Sequence, residues 1–343
     1  MLSRMAETMI DPPRPAPTER LPRPAPASRT SSKRVFIVAG AAMIAVSLMV
    51  TAALIYVFVI HYEPTAKRHL PSNVNLAFRV ETARVALFPP IRKHLLELDK
   101  GSAQKGSRAE RLKEETGLDV TDLRELIVGS VDGRGWVVLM GGRIPRGRFV
   151  DGMDKLLHAE KITSFQRHGA LLVGPGGVTL AQADDGTIIV ATSTELATTA
   201  LPASDPSEHL ALREDAAVSF AMTKGALSGL ASQPMMRSQG ELLGAISSAS
   251  GSLTLDSAPT LRISAETAQG VDPAALQTKT TTAIGVLRLM LLLLPDRYGE
   301  KGALDSATVT ASPTGIDLRA DWPYAGLERA YDDLARLLGA LPR

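Results

Sequence analysis

The chain has no cysteine in its 343 residues. That excludes disulfides, thiolate metal sites and a cysteine nucleophile together. It leaves the compartment open, because a chain of this length buries enough surface to fold without crosslinks. A large charge of one sign is also missing. The net charge is +2, and the first 34 residues supply +4 of it through seven basic and three acidic groups, so residues 61–343 sit at −2. A nucleic-acid binder shows a basic excess or stripe, and this near-neutral region argues against that function. The common catalytic and nucleotide signatures are absent too: there is no H-E-x-x-H, G-x-S-x-G, Walker loop or G-x-G-x-x-G.

The fragments of motif that remain have simpler explanations. Ser102 and Lys105 have the S-x-x-K spacing of an acyl-serine site, in which a lysine one helical turn on deprotonates the serine, but they lie in a charged stretch flanked by glycine and no K-T-G partner strand is visible. Gly174-Pro-Gly-Gly177 and the segment Gly129 to Gly135 lie between strand-like runs and read as turns, whereas a phosphate cradle opens a helix. Asp132-Gly133 is a hairpin signal, and Asp184-Asp185-Gly186 reads as a hairpin tip. The histidines, His61, His69, His94, His158, His168 and His209, never fall at i, i+4 spacing, so a metal site would need distant parts of the chain. No catalytic, cofactor-binding or metal-ligating residue is assigned.

What the chain does have is an unbroken charge-free run, VFIVAGAAMIAVSLMVTAALIYVFVI, from Val35 to Ile60. As a helix its 26 residues would extend roughly 39 Å, against about 30 Å of bilayer hydrocarbon. A cleaved signal peptide is the rival reading, but its apolar core is about 7–15 residues and ends at a small-x-small site. Here seven further residues follow Thr51-Ala52-Ala53, which favours a retained single-pass anchor. Lys33-Arg34 and the basic tail abut its start, so the N-terminus is expected in the cytoplasm and the C-terminal part outside the inner membrane. The tail, residues 1–34, holds seven prolines and two copies of Pro-Arg-Pro-Ala-Pro. Proline lacks the backbone donor and fixes φ, so this stretch is expected to be extended or disordered.

Residues 61–203 and 204–343 run through similar element orders. The first has a strand at Asn75–Val80, helices at Pro90–Leu98 and from Ser107 to Gly117, a strand at Trp136–Met140, a helix from Phe149, and strands near Leu171, Val178 and Thr187. The second has a strand at Val218–Met222, helical sequence to Ala245, and strands near Ser252–Leu255 and Leu261–Ala265. A helix opened by Asp272-Pro273 follows, then strands around Pro313-Thr-Gly315 and a closing amphipathic helix. The expected class is α+β: two related units of antiparallel sheet covered by helices, with a boundary near Pro202 to Pro206. The stretch from Glu115 to Gly129, between the strands LPSNVNLAFRV and WVVLM, resembles the unit found in uncharacterised bacterial families of membrane-anchored envelope proteins. The resemblance covers about half of the exported part and implies a fold and a location, with no site residues.

One segment breaks the amphipathic pattern. In the helix after Asp272, Ala283 to Leu294 is apolar nearly all round and has Arg288 as its one charge. Twelve residues are too short to span, so burial between the two units is the expectation. The alternative is a groove for a hydrophobic partner or lipid, which fails if Leu289 and Leu293 are enclosed. Taken together, the sequence predicts a non-catalytic, membrane-anchored envelope protein with a structural, scaffolding or partner-binding role, acting on an envelope protein or on itself. A carrier or sensor of an apolar ligand is the first alternative and a Ser/Lys hydrolase the second.

Overall fold

The computed structural model describes residues 65–92, 108–204, 210–234 and 239–340. The predicted span at 35–60, the proline-rich tail, the Ser102/Lys105 pair, and most of the predicted helix at 90–98 lie outside them. Among the described residues no helix is long and apolar enough to cross a membrane.

The chain is α+β, as expected, built on a large antiparallel sheet. After a 3-10 turn at Ala66–His69 the elements are β1 (Leu76–Glu81), α1 (Thr82–Leu87), α2 (Arg108–Thr116), β2 (Leu123–Val131), β3 (Gly135–Gly142), α3 (Phe149–Ala159), β4 (Gln166–His168), β5 (Leu171–Val173), β6 (Thr179–Gln182), β7 (Ile188–Ala191) and α4 (Thr194–Ala200). Next come β8 (Val218–Thr223), α5 (Lys224–Ala231), α6 (Gly240–Gly244), β9 (Ile246–Thr254), β10 (Thr260–Thr267), α7 (Pro273–Leu292), α8 (Glu300–Ser306), β11 (Thr308–Ser312), β12 (Gly315–Asp321) and α9 (Tyr324–Ala340). All twelve strands join one sheet, in the order β11-β12-β10-β9-β8-β1-β2-β3-β7-β6-β5-β4. β1 and β8 pair at the centre, and from them the two flanks extend outward in matching order.

Register shows which residues share a face, since directly opposed residues point the same way. In the first flank one face carries the row Ile127, Leu139, Ile189 and Ala181, covered by Ala66, Leu70, Val74 and the α4 residues Leu196, Ala197 and Ala200. The other face carries Val190, Leu180, Leu172 and Ile188, covered by Leu118 and by Phe149 and Val150 of α3. In the second flank Met222, Ala249, Ala265 and Ile316 face Leu227 of α5 and Leu276 of α7. The opposite face of that flank is polar, with the rows Ser252, Arg262, Arg319 and Ser250, Ser264, Asp317.

Local chemistry explains the punctuation. The β2–β3 hairpin turns through Asp132, Gly133 and Arg134, with Asp132 and Gly133 both at positive φ (50° and 68°) and the Arg134 N–H donating to the Val131 carbonyl. Gly117, at φ 72°, ends α2 and donates its N–H to the Lys113 carbonyl. Asp272 caps α7 by accepting from the Ala274 N–H, with Pro273 in the first turn. Phe88 is buried and makes edge-on contacts with Tyr324 and Tyr331, tying α9 to the segment after α1.

Three expectations need correcting. Leu123–Val131, which the sequence pattern leaves without an assigned element, is β2, paired with β1 and β3. β9 begins at Ile246, six residues before the predicted start, and α1, α4 and α8 are helices that the periodicity did not announce. The end of α7, expected to be buried, is exposed.

Candidate docking surface

α7 starts beyond the end of β10 and is held to the sheet by a narrow seam. Only Leu276 and Ile284 are buried, and Gln277 donates to the Val309 carbonyl at 2.9 Å. Arg288, the single charge of its apolar half, is turned to α8. Its Nε and Nη2 donate to the Leu304 carbonyl at 2.8 and 2.6 Å, and Nη2 donates to the Ala307 carbonyl at 3.2 Å. A cation at a helix C-terminus satisfies orphan carbonyls and complements the dipole. It also turns the one charged side chain of this half-helix toward α8, leaving it 39% exposed.

That outer surface is hydrocarbon. Val286, Leu287, Leu289, Met290, Leu292, Leu293 and Leu294 are all exposed, Leu289 at 66% and Leu293 at 88%. Burying a leucine or valine fully is worth about 1.5–3 kcal/mol, so seven such residues in water are a substantial unclaimed stabilisation. Contiguous apolar patches of this kind mark interaction surfaces. A 290 Å³ cleft beside the middle of α7 is lined by Glu241, Thr278, Lys279 and Thr282 among others. It is open and carries an ion pair between Lys279 and Glu241 beside Leu242 and Ala283, so it differs from the charge-free helix end.

The position of the patch follows from length and register. β10 runs from its pairing with Asp321 at Thr260 to its pairing with Gly315 at Glu266, and α7 then crosses back toward the edge where β11 begins. Twenty residues of helix cover about 30 Å, whereas the five residues of β11 cover roughly 17 Å. The Arg288–Ala307 bond comes one residue before β11 starts, so Leu289 to Leu294 continue past the end of the strand. The same edge of the sheet is where β1 ends and β2 begins. Leu87, after β1, and Val120, before β2, are exposed there at 69% and 64%. Thr65 lies on this edge too, its hydroxyl 3.0 Å from that of Thr187, which precedes β7 at the end paired with Met140.

The other sequence features resolve into structure. Gly174-Pro-Gly-Gly177 is the turn between β5 and β6, and Asp184-Asp185-Gly186 is the β6–β7 hairpin. Among the described residues no group of three His, Asp or Glu side chains could hold a metal ion. His158 pairs with Asp154 one turn earlier on α3. His69 is buried, with Nδ1 2.8 Å from the Ala200 carbonyl and Nε2 3.0 Å from the Asp185 carboxylate. His69 thereby fastens the segment before β1 to the β6–β7 hairpin and to α4.

A second buried pair had no sequence signal. Arg79 and Glu125 are 2% and 0% exposed, with Arg79 Nε donating to Glu125 Oε1 at 2.5 Å. Arg79 Nη1 also reaches the Arg213 and Glu214 carbonyls at 3.3 and 3.4 Å. Glu125 Oε2 has no hydrogen-bond partner. Burial pushes the Glu125 carboxyl up from its ordinary value, against the opposing pull of Arg79. The two residues are 46 apart in sequence, and only the antiparallel register of β1 and β2 brings them together.

No protein-family model matches the chain, and no curated protein matches it by sequence. Among solved structures, one described as "Structure of crystal form I of TP0453" is similar at a TM-score of 0.41 and 8% identity, covering 81% of this chain and 98% of that one. A likeness this loose carries neither activity nor partner across.

Proposed function

We propose that the chain is a single-pass, membrane-anchored envelope protein whose extracytoplasmic α+β region has a non-catalytic, partner-binding role. The observation that carries the binding role is the exposed apolar end of α7, a surface that stability does not explain and that association would bury. The anchor rests on the 26-residue charge-free run with its basic N-terminal flank. The matching order of strands on either side of the β1–β8 pair supports an internal duplication, with its halves meeting after α4. The resemblance of Glu115 to Gly129 to anchored envelope families is consistent with this location.

The lack of cysteine makes the topology testable. Ser204 is exposed, and Ser204→Cys in the full chain is expected to react with a membrane-impermeant maleimide from the extracytoplasmic side of intact cells whose outer barrier has been opened. Reaction only after the inner membrane is breached would overturn the assigned orientation.

A further inference from the structure

We propose that the end of α7 docks into the bilayer that anchors the chain, so that the partner of this surface is lipid hydrocarbon; this rests on the anchored reading above. Three observations favour lipid over a protein surface. First, the exposed residues from Val286 to Leu294 are aliphatic apart from Met290, and the only polar side chain among them, Arg288, is committed to α8. Protein interfaces concentrate Tyr, Trp, Phe and Arg and carry about one hydrogen bond per 100–200 Å². This surface offers no aromatic ring and no outward donor, and hydrocarbon asks for neither.

Second, Thr65, the first described residue after the predicted span, lies at the same end of the strands as the α7 tip, eight strands further along the sheet. Thr65 sits at the edge where β2 begins, bonded to Thr187. The α7 end passes the sheet at the edge where β11 begins and β12 ends, which register makes the same edge. Leu87 and Val120 add exposed apolar side chains along it.

Third, the tether is short. Four residues, 61–64, separate the end of the charge-free run from Thr65, and fully extended they reach about 14 Å. An anchored domain on so short a tether meets its own membrane at high effective concentration. An apolar tip on the tethered edge then needs only modest intrinsic affinity to remain inserted.

The test uses the full chain reconstituted in phosphatidylcholine vesicles, with a polarity-sensitive fluorophore on a single introduced cysteine. Leu293→Cys reports the tip, Ser264→Cys the polar open face of the sheet, and Ala53→Cys the predicted span. At 293 the expected result is quenching by nitroxides on lipid acyl chains and an iodide quenching constant at least tenfold below that at 264. Adding Leu289→Ser and Leu292→Ser should raise iodide access at 293 about tenfold and leave 53 unchanged. Iodide access at 293 equal to that at 264 overturns the proposal. Shielding of 293 from both iodide and acyl-chain nitroxides also overturns it, in favour of a protein contact such as a second copy. Failure of the label at 53 to be quenched by acyl-chain nitroxides contradicts the anchor itself, whatever 293 shows.

Discussion

The two flanks of the sheet solve the same problem with opposite surfaces. In β2, β3 and β7 both faces are apolar: Ile127, Leu139 and Ile189 look one way, Val128, Val138 and Val190 the other. The first face is covered by α4 and the segment before β1, and on the second α3 covers Val190 while Val128 and Val138 are half-buried. In β9, β10 and β12 the strands alternate, with Ala249, Ala265 and Ile316 toward the helices and Ser250, Ser264 and Asp317 toward water. Alternation of this kind is what an antiparallel sheet with one wet face requires. A single cross-strand row shows the change: Ala181, Ile189, Leu139 and Ile127 lead to Arg79, and beyond it stand Ser219, Ser252, Arg262 and Arg319. Arg79 stands where the row turns from apolar to polar, buried together with the next two residues, Ser219 and Ser252, before the row opens to water at Arg262; Glu125 is its counter-charge. The one-sided flank is also where the apolar surface is misplaced by folding criteria, at the end of α7.

The sharpest way to break this comparison is at its frontier. Arg79→Ala leaves the Glu125 carboxylate buried without its partner and should cost about 3–5 kcal/mol, read by urea denaturation with Trp136 and Trp322 as reporters. Replacing both, Arg79→Met with Glu125→Leu, should recover most of that loss, since an apolar pair of similar volume needs no desolvated charge. A double variant as unstable as the single one would show that the pair stabilises through more than its mutual neutralisation. The next largest effect lies inside the two-sided flank. Leu139 is fully buried, and Leu139→Ala should cost about 2–5 kcal/mol in the same assay.

A smaller effect is set by pH. The Lys113 ammonium, helped by the Thr121 hydroxyl and N–H, holds the Asp119 carboxyl down at about 2, against an ordinary 3.8. Its contribution is therefore present above 3.8 and lost as pH falls toward 2. The pair is solvent-exposed and screened, so the effect is small. Asp119→Ala should remove that acid-side slope from stability measured between pH 2 and 5. The smallest effects belong to the wet surfaces. Ser264→Ala and Leu293→Ser should each change stability by no more than about 0.5 kcal/mol, because the first lies on the open face and the second is 88% exposed. A large loss from Leu293→Ser would assign α7's end a folding role and weaken its reading as a docking surface.

Much of the architecture was legible where local chemistry decides it. Asp132-Gly133 announced its hairpin because few residue pairs tolerate two positive φ angles, and Asp272-Pro273 announced the start of α7 because capping is local. β9 reads short because ISSAS carries its alternation in small polar residues, which resemble loop sequence until Ser250 and Ser252 are seen to line the polar face of the sheet. The strand character of Leu123–Val131 emerges only from its place between β1 and β3. The apolar character of the α7 end was readable from composition, but its exposure was not. Burial depends on what covers a surface, and here α8 takes Arg288 while nothing in the described fold encloses Leu289 to Leu294. Neither His69–Asp185 nor Arg79–Glu125 has a local spacing signal, since their partners are 116 and 46 residues apart.

The most direct test compares one residue from each surface of the one-sided flank in native membranes that hold the full chain. Ser264 and Leu293 are both exposed in the fold, so the fold alone predicts similar reaction of Ser264→Cys and Leu293→Cys with a water-soluble maleimide. The account predicts reaction at 264 at least tenfold faster than at 293, because the bilayer covers the α7 tip. Equal rates would contradict it.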